Sequence, residues 1–147
     1  MFRSIVVGTD GSETAAKAVD SAVELARLTG ATLELVSAYE PVGGQALREE
    51  ARQVPPDLQW IVNRRADVDA TLQRAIERAG AAGVAAQTYA REGDPADAIL
   101  DVAEELGADL IVIGNKGMTG AKRFLLGSVP NKVSHHAPCA VMIIRTS

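Results

Sequence analysis

Two glycine-containing segments of the sequence have residue types that suit the binding of an anion. The first is Gly8-Thr9-Asp10-Gly11-Ser12, and the second runs from Gly114 to Ser128, with glycines at 114, 117, 120 and 127. Glycine lets the backbone approach a ligand closely and adopt positive φ where a turn requires it. Lys116 adds a formal positive charge to the second segment. We call this second segment the phosphate cradle, because its composition predicts a site for phosphate groups.

A helix is predicted to begin where the phosphate cradle ends. Ser128 is a suitable N-cap residue, and Pro138 prevents the helix from continuing past His136. The N–H groups near Gly127 to Val129 would then lie at the positive end of the helix dipole, where an anion is stabilised. Any one of the glycines alone would be explained by turn formation. The prediction therefore depends on four glycines beside a capped helix.

Two common nucleotide-binding motifs are missing from the sequence. Gly-x-Gly-x-x-Gly does not follow the first predicted strand, and Gly-x4-Gly-Lys-Ser/Thr occurs nowhere. A dinucleotide-dependent dehydrogenase and a P-loop enzyme are both disfavoured.

Strand-like and helix-like segments alternate along the chain, which predicts an α/β fold with a parallel sheet between helices. The five predicted strands are Ser4 to Gly8, Thr32 to Ala38, Val84 to Tyr89, Leu110 to Gly114 and Ala140 to Arg145. Apolar residues at helical spacing predict helices between Ser12 and Gly30, Leu58 and Gly80, Asp94 and Gly107, and Ser128 and His136. Ligands of such sheets bind beyond the carboxyl ends of the strands, where the strand order reverses. The segments after the first and fourth strands would then face one crevice.

The charges of the chain are unevenly distributed. Its net charge is −4, yet residues 110–147 contain five bases and no acid. This acid-free part can offer a positive field to a small anion, although a buried, strand-rich tail would also contain few acids. The overall acidity argues against a nucleic-acid surface.

Composition also bounds the size and the compartment of the protein. A length of 147 residues fits one domain, spanning residues 1–147. No apolar run approaches the roughly 18 residues that would cross a bilayer, and we expect no membrane partner. We expect no signal peptide, and one cysteine, Cys139, suits a reducing compartment. We therefore expect a cytoplasmic protein in which Cys139 packs as a small hydrophobe.

The spacing Gly114-x2-Gly117-x9-Gly127-Ser128 resembles the ATP-binding signature of the universal stress protein family. The resemblance extends over the chain, because residues 6–12, 93–95 and 125–129 are also similar to family motifs. It implies a single open, Rossmann-like sheet of five parallel strands in the order 3-2-1-4-5, with helices on both faces. The first and fourth strands would then be neighbours at the point of reversal.

The resemblance also implies roles for individual residues. Asp10 would contact the ribose, or a Mg ion through water, and the backbone of Ala38 would hold the adenine. The nucleotide-binding residues expected from the two segments and from the family are Gly8, Thr9, Asp10, Ala38, Ile113, Gly114, Lys116, Gly117, Gly127, Ser128, Val129 and Pro130. We expect no catalytic residue and no metal site formed by the protein alone.

Pro130 departs from the family pattern, which often has Thr, Ser or Ala at this position. Proline removes one N–H and any hydroxyl, although the first turn of a helix tolerates it. A terminal phosphate would be held less firmly. ATP is the expected ligand, and AMP and cyclic AMP remain alternatives.

The expected function is that of a binding module for stress response or signalling, with slow or no ATP hydrolysis. A weak ATPase is the alternative, because Asp10 lies at the end of a strand and could be a catalytic carboxylate. No partnered general base is evident, and this disfavours the alternative. A nucleotide-free structural dimer is a third possibility, which the retained glycine signature disfavours. Because relatives dimerise through their last strand, we expect a homodimer through Ala140 to Ile144.

Other residues are expected to have structural roles. His135 and His136 are adjacent in a helix and point about 100° apart, so they would not share one metal ion without further ligands. Trp60 is expected to be a core residue of the second helix. The segment from Glu40 to Asp57, with Gly43-Gly44 and Pro55-Pro56, is predicted to be a surface loop, and a lid over the ligand is the less favoured alternative.

Overall fold

A computed structural model describes residues 2–39, 64–115 and 127–146 of the chain. Within these ranges strands and helices alternate: β1 Ser4–Gly8, α1 Glu13–Thr29, β2 Thr32–Tyr39, α2 Arg64–Ala81, β3 Ala86–Glu92, α3 Pro95–Leu106, β4 Leu110–Gly114, α4 Ser128–His136 and β5 Ala140–Ile144. All strand pairs are parallel, and the sheet order is β3-β2-β1-β4-β5. The predicted fold class and strand order are confirmed.

The two central strands are buried on both faces, as their continuous apolar runs predict. Ile5, Val6 and Val7 of β1 are all fully buried, and so are Ile111 and Val112 of β4. Side chains of β1 alternate between two cores. Ile5 and Val7 pack with α1 and α2 on one face of the sheet, whereas Val6 packs with α3 and α4 on the other.

The predicted caps of α1 and α3 are present. Ser12 Oγ accepts a hydrogen bond from the Ala15 amide at 3.2 Å, and Gly30 ends α1 with φ of 75°. Asp94 Oδ2 accepts a hydrogen bond from the Asp97 amide at 3.1 Å, and Gly107 ends α3 with φ of 60°. These left-handed glycines end both helices without the steric penalty that a Cβ atom would bring.

Some predicted boundaries differ from the structure. The third strand is Ala86–Glu92 and not Val84 to Tyr89, because the amide of Val84 bonds to the Ala79 carbonyl and so belongs to the turn that leaves α2. The helix α2 also continues past Gly80 to Ala81, and positive φ occurs instead at Gly83. The second strand continues one residue further, to Tyr39, and the last ends one residue earlier, at Ile144.

Several predictions fall outside the described residues. These are the start of the second helix at Leu58, the core position of Trp60 and the surface loop from Glu40 to Asp57 with its alternative role as a lid. No helix in the ranges 2–39, 64–115 and 127–146 is both long enough and apolar enough to cross a membrane.

Candidate functional site

The sheet reverses its winding direction between β1 and β4. These strands are neighbours, but the chain leaves β1 into α1 on one face of the sheet, and α4, which precedes β5, packs on the opposite face. The connections therefore diverge at the carboxyl ends of the two strands and leave a crevice between them. Such a crevice is the usual ligand site of an open α/β sheet.

The turn after β1 brings Asp10 to the surface and buries Thr9. The Thr9 amide bonds to the Val36 carbonyl at 2.9 Å, and Thr9 Oγ1 accepts a hydrogen bond from the Gly11 amide at 3.1 Å. Its side chain lines a small cavity with Thr71 and Arg74 of α2, which pack on the face opposite α4. A ligand in the crevice would therefore meet the backbone of Thr9 and not its hydroxyl.

Asp10 is exposed, and its carboxylate is partly committed to its own turn. Oδ1 accepts a hydrogen bond from the Ser12 amide at 2.9 Å, an arrangement that is common for aspartate in turns. Within the described residues the Asp10 carboxylate makes no ion pair. Oδ2 therefore remains available to accept a hydrogen bond from a ligand hydroxyl or a metal-bound water.

Gly8 and Gly11 are glycines because of packing against neighbouring helices. A Cβ atom on Gly8 would lie 2.5 Å from Ile99 Cδ1 of α3, and one on Gly11 would lie 2.9 Å from Thr71 Oγ1 of α2. Gly11 also has φ of 83°. Both positions fix the course of the backbone on either side of Asp10.

The end of β2 extends past the end of β1. Val36 bonds to Thr9 on the β1 side, and in a parallel ladder residues two apart face the same neighbouring strand. Ala38 therefore directs its N–H and C=O towards the side on which β1 has already ended at Gly8. These two backbone groups can pair with the edge of a planar base.

At the end of β4, Ile113 is buried and Gly114 approaches the end of the chain. A Cβ atom on Gly114 would lie 3.3 Å from Thr146 Cγ2. Asn115 follows, and its carbonyl accepts a hydrogen bond from the Gly127 amide at 3.0 Å. The two ends of the phosphate cradle are thus bonded directly to each other. Lys116 and Gly117 lie outside the described residues.

The N-cap of α4 is Gly127 and not Ser128. Gly127 has the extended dihedral angles of a cap, φ of −61° and ψ of 164°, and Ser128 is the first helical residue. No side chain in the described part of the chain caps this helix, because glycine has no oxygen to offer. The amides of Ser128 and Val129, in the first turn, lack intrahelical acceptors.

Pro130 occupies the third helical position of α4 and is buried, as is the neighbouring Val129. The first intrahelical bond of α4 runs from the Asn131 amide to the Gly127 carbonyl, at 3.0 Å. The first turn of the helix therefore has two backbone donors without intrahelical acceptors, where a chain without proline would have three. Ser128 is exposed, so its hydroxyl is accessible from the same end.

The positive charge of the acid-free tail is partly neutralised. Lys132 of α4 lies 2.8 Å from Asp97 Oδ1 and 3.5 Å from Asp94 Oδ2. The hydrogen bond to Asp97 is the main reason that the pKa of Lys132 is raised. The other bases of this part of the chain include Lys116, Lys122 and Arg123, which are outside the described ranges.

Sequence reasoning missed Asn115 and Thr146. Asn115 Oδ1 accepts hydrogen bonds from both the amide and the hydroxyl of Thr146, each at 2.9 Å. Lys17 Nζ donates to the Thr146 carbonyl at 3.0 Å. An asparagine directly after the strand that ends in Gly114 was the available signal, but its partner lies 31 residues further along the chain.

The residues expected to be structural have ordinary surroundings. Cys139 packs against the second core, as predicted, and the pKa of its thiol is raised by burial and then by the charge of Asp109. His135 and His136 are both exposed. The ring atom Nδ1 of His135 lies 2.9 Å from the Asn131 carbonyl oxygen, one turn earlier in α4.

Comparison with known proteins identifies the family. The model of the universal stress protein family matches residues 1–145. The universal stress protein YxiE of Bacillus subtilis is 36% identical, with 99% of this chain and 100% of the relative aligned. A universal stress protein solved in complex with cAMP is 34% identical and superposes with a TM-score of 0.75 over 99% of this chain and 98% of that one. The universal stress protein of Archaeoglobus fulgidus solved with dAMP is 27% identical, with a TM-score of 0.69 over 97% and 98% of the two chains. The chain belongs to the universal stress protein family.

Proposed function

We propose that this protein binds an adenine nucleotide in the crevice between β1 and β4 and acts as a nucleotide-dependent binding module in a stress response. The observation that carries the proposal is the first turn of α4. Its two free amides, of Ser128 and Val129, have no side-chain cap within the described residues, and they follow a strand adjacent to the one that precedes Asp10. A helix end of this kind favours phosphate.

The other crevice residues fit the remaining parts of a nucleotide. The backbone N–H and C=O of Ala38 would pair with the adenine. Asp10 Oδ2 would accept hydrogen bonds from the ribose hydroxyls or hold a Mg ion through water, since a carboxylate is an acceptor only. Gly114 and Ile113 would lie along the base and sugar, and Lys116, Gly117 and Gly127 would complete the phosphate contacts.

Relatives support the adenine nucleotide as the ligand class. The relatives solved with cAMP and with dAMP are 34% and 27% identical to this chain. Both ligands have an adenine and one phosphate. ATP remains the proposed physiological ligand, and AMP and cyclic AMP are the alternatives. Pro130 favours these alternatives, because it removes one donor that a terminal phosphate would use.

We propose slow or no turnover of the nucleotide. Within the described residues the Asp10 carboxylate accepts a hydrogen bond from the Ser12 amide and has no paired histidine or lysine that would make it a general base. A weak ATPase is the alternative. Steady-state hydrolysis well above background, abolished in Asp10→Ala, would support the ATPase and contradict the binding module.

We further propose that the protein is a homodimer through the edge strand Ala140–Ile144 and that it acts in the cytoplasm. Among the described strands the edge strand pairs only with β4, and its Met142 and Ile143 are 38% and 40% exposed. Occupancy of the crevice would then alter the contacts of the dimer with a partner.

Isothermal titration calorimetry tests the nucleotide proposal. We expect the full chain to bind at least one of ATP with Mg, AMP and cyclic AMP. Asp10→Ala should weaken that binding about tenfold to a hundredfold, because it removes hydrogen bonds to a charged acceptor. Asp101→Ala, at an exposed position of α3, is the matched control and should leave the affinity unchanged. If none of the three nucleotides binds, the proposed function is wrong.

A further inference from the structure

The chain after β5 turns back into the molecule and ends beside the phosphate cradle. Thr146 is only 3% exposed, although it lies one residue from the carboxyl end of the sequence. Its carbonyl accepts a hydrogen bond from Lys17 Nζ of α1 at 3.0 Å, and its methyl group lies against Gly114. A buried threonine needs hydrogen-bond partners for its amide and its hydroxyl.

Asn115 makes the specific contacts that hold Thr146. Its side-chain oxygen accepts both the amide and the hydroxyl of Thr146, at 2.9 Å each. The backbone amide of Asn115 donates a hydrogen bond to the Ile144 carbonyl at 2.9 Å. Asn115 therefore forms three hydrogen bonds in this region, one with Ile144 at the end of β5 and two with Thr146.

The fourth hydrogen bond of Asn115 reaches the start of α4. Its carbonyl accepts the Gly127 amide at 3.0 Å, and Gly127 is the N-cap of α4. The free amides of Ser128 and Val129 come directly after this cap. The position of these two donors therefore depends on the backbone of Asn115, which Thr146 in turn fixes.

We propose that Asn115 and Thr146 are positioning residues for the phosphate-binding amides of α4, so that the buried contact between them determines how firmly the phosphate is held. The assignment rests on the proposed function. Neither side chain needs to touch the ligand. Displacing hydrogen-bond donors by a fraction of an ångström weakens charge-assisted bonds to an anion, because their strength depends on geometry.

The proposal distinguishes the phosphate from the rest of the nucleotide. Asn115→Ala removes the acceptor of both Thr146 bonds, and Thr146→Val removes the hydroxyl while nearly preserving the shape. We expect the dissociation constants for AMP and ATP to rise about threefold to thirtyfold, the loss expected for one or two hydrogen bonds. Adenosine lacks a phosphate, so its dissociation constant should stay within about twofold of the wild-type value.

Thr29→Val is the matched control. It also removes a threonine hydroxyl bonded to a carbonyl, that of Leu25 at 2.8 Å, at the opposite end of α1. It should change neither dissociation constant. Equal losses for adenosine and AMP in the Asn115 and Thr146 variants would show a merely structural role, and unchanged affinity for AMP would also overturn the proposal.

Hydrogen exchange measures the same coupling without a ligand. In Thr146→Val the amides of Asn115 and Gly127 should exchange faster than in the wild type, whereas in Thr29→Val they should not. Unchanged exchange at both amides would overturn the proposal even if the wild-type protein bound no nucleotide. Failure of the wild-type protein to bind any nucleotide, with the exchange effect present, would instead contradict the proposed function alone.

Discussion

The residue types near Asp10 are explained by packing as much as by the proposed ligand binding. Gly8 is an example, because the residue belongs to the predicted nucleotide site, yet the position lacks space for any side chain. Its missing Cβ atom would lie 2.5 Å from Ile99 Cδ1, so the end of β1 and the helix α3 are in direct contact. This contact keeps the backbone before Asp10 in one position.

Gly8→Ala should therefore destabilise the protein by about 1–3 kcal/mol, the usual cost of overpacking a core. Ile99→Val removes the Cδ1 methyl group, so the double variant should recover part of the loss. Gly80→Ala is the control, since nothing lies within 4 Å of the added Cβ atom and alanine favours a helix. Urea denaturation gives the free energy of unfolding of the wild type and of each variant. Gly8→Ala as stable as the wild type would contradict the packing argument.

Some bounds of the strands and helices could be predicted from the sequence and others could not. The bounds of β1, β4 and α4 were predicted correctly, because continuous apolar runs, glycines and prolines mark them locally. The error at β3 has a physical cause, since Ala90 to Glu92 pair with Ser37 to Tyr39 through backbone groups that carry no hydropathy signal.

The sequence likewise predicts some residues of the candidate site and misses others. Asp10 follows the first predicted strand and Ser128 begins the last predicted helix, and the exposure of both residues agrees with the proposed ligand contact. The N-cap at Gly127 was missed, because Ser128 has the better side chain for a cap and only the backbone dihedral angles decide between them. The contact between Asn115 and Thr146 was missed because it joins two segments that are adjacent only after the sheet has formed.

Asp109 joins the starts of β1 and β4, the two strands on which the crevice depends. Its Oδ2 accepts hydrogen bonds from the Arg3 amide at 2.6 Å and the Ser4 amide at 3.1 Å. These two hydrogen bonds hold the pKa of Asp109 below its usual value, and the bond from the Arg3 amide has the larger effect. The ionised carboxylate therefore stabilises the fold above its unfolded pKa, about 3.9, and this stabilisation is lost as the pH falls through the lower folded pKa.

Asp109→Asn should be less stable than the wild type at neutral pH, and the difference should shrink as the pH falls below about 4. The midpoint of urea unfolding, measured from pH 7 to pH 2, gives this difference directly. Asp101→Asn is the control at an exposed position, and its difference from the wild type should vary less with pH. A constant offset for Asp109→Asn across the range would contradict the role of the ionised carboxylate.

The whole molecule has two sheet edges of opposite character. β3 exposes polar side chains, among them Gln87 and Thr88, whereas β5 exposes the apolar Met142 and Ile143. An apolar edge with unpaired backbone groups is liable to associate unless it is covered. This difference favours β5 over β3 as the edge of the proposed dimer, and both Ile144 of β5 and Thr146 after it are bonded to Asn115.

Ile143→Lys should convert the proposed dimer into a monomer, because it places a charge where a second copy would bury an apolar surface. Light scattering after size exclusion at several micromolar concentrations measures the mass directly. Leu28→Lys is the matched control, since Leu28 is 67% exposed on α1, away from the sheet edge, and should leave the mass unchanged. A wild-type protein that is already a monomer would contradict the dimer through β5. A lysine variant that stays a dimer would assign the interface to a different surface, and the edge strand would then need another explanation for its exposed isoleucine and methionine.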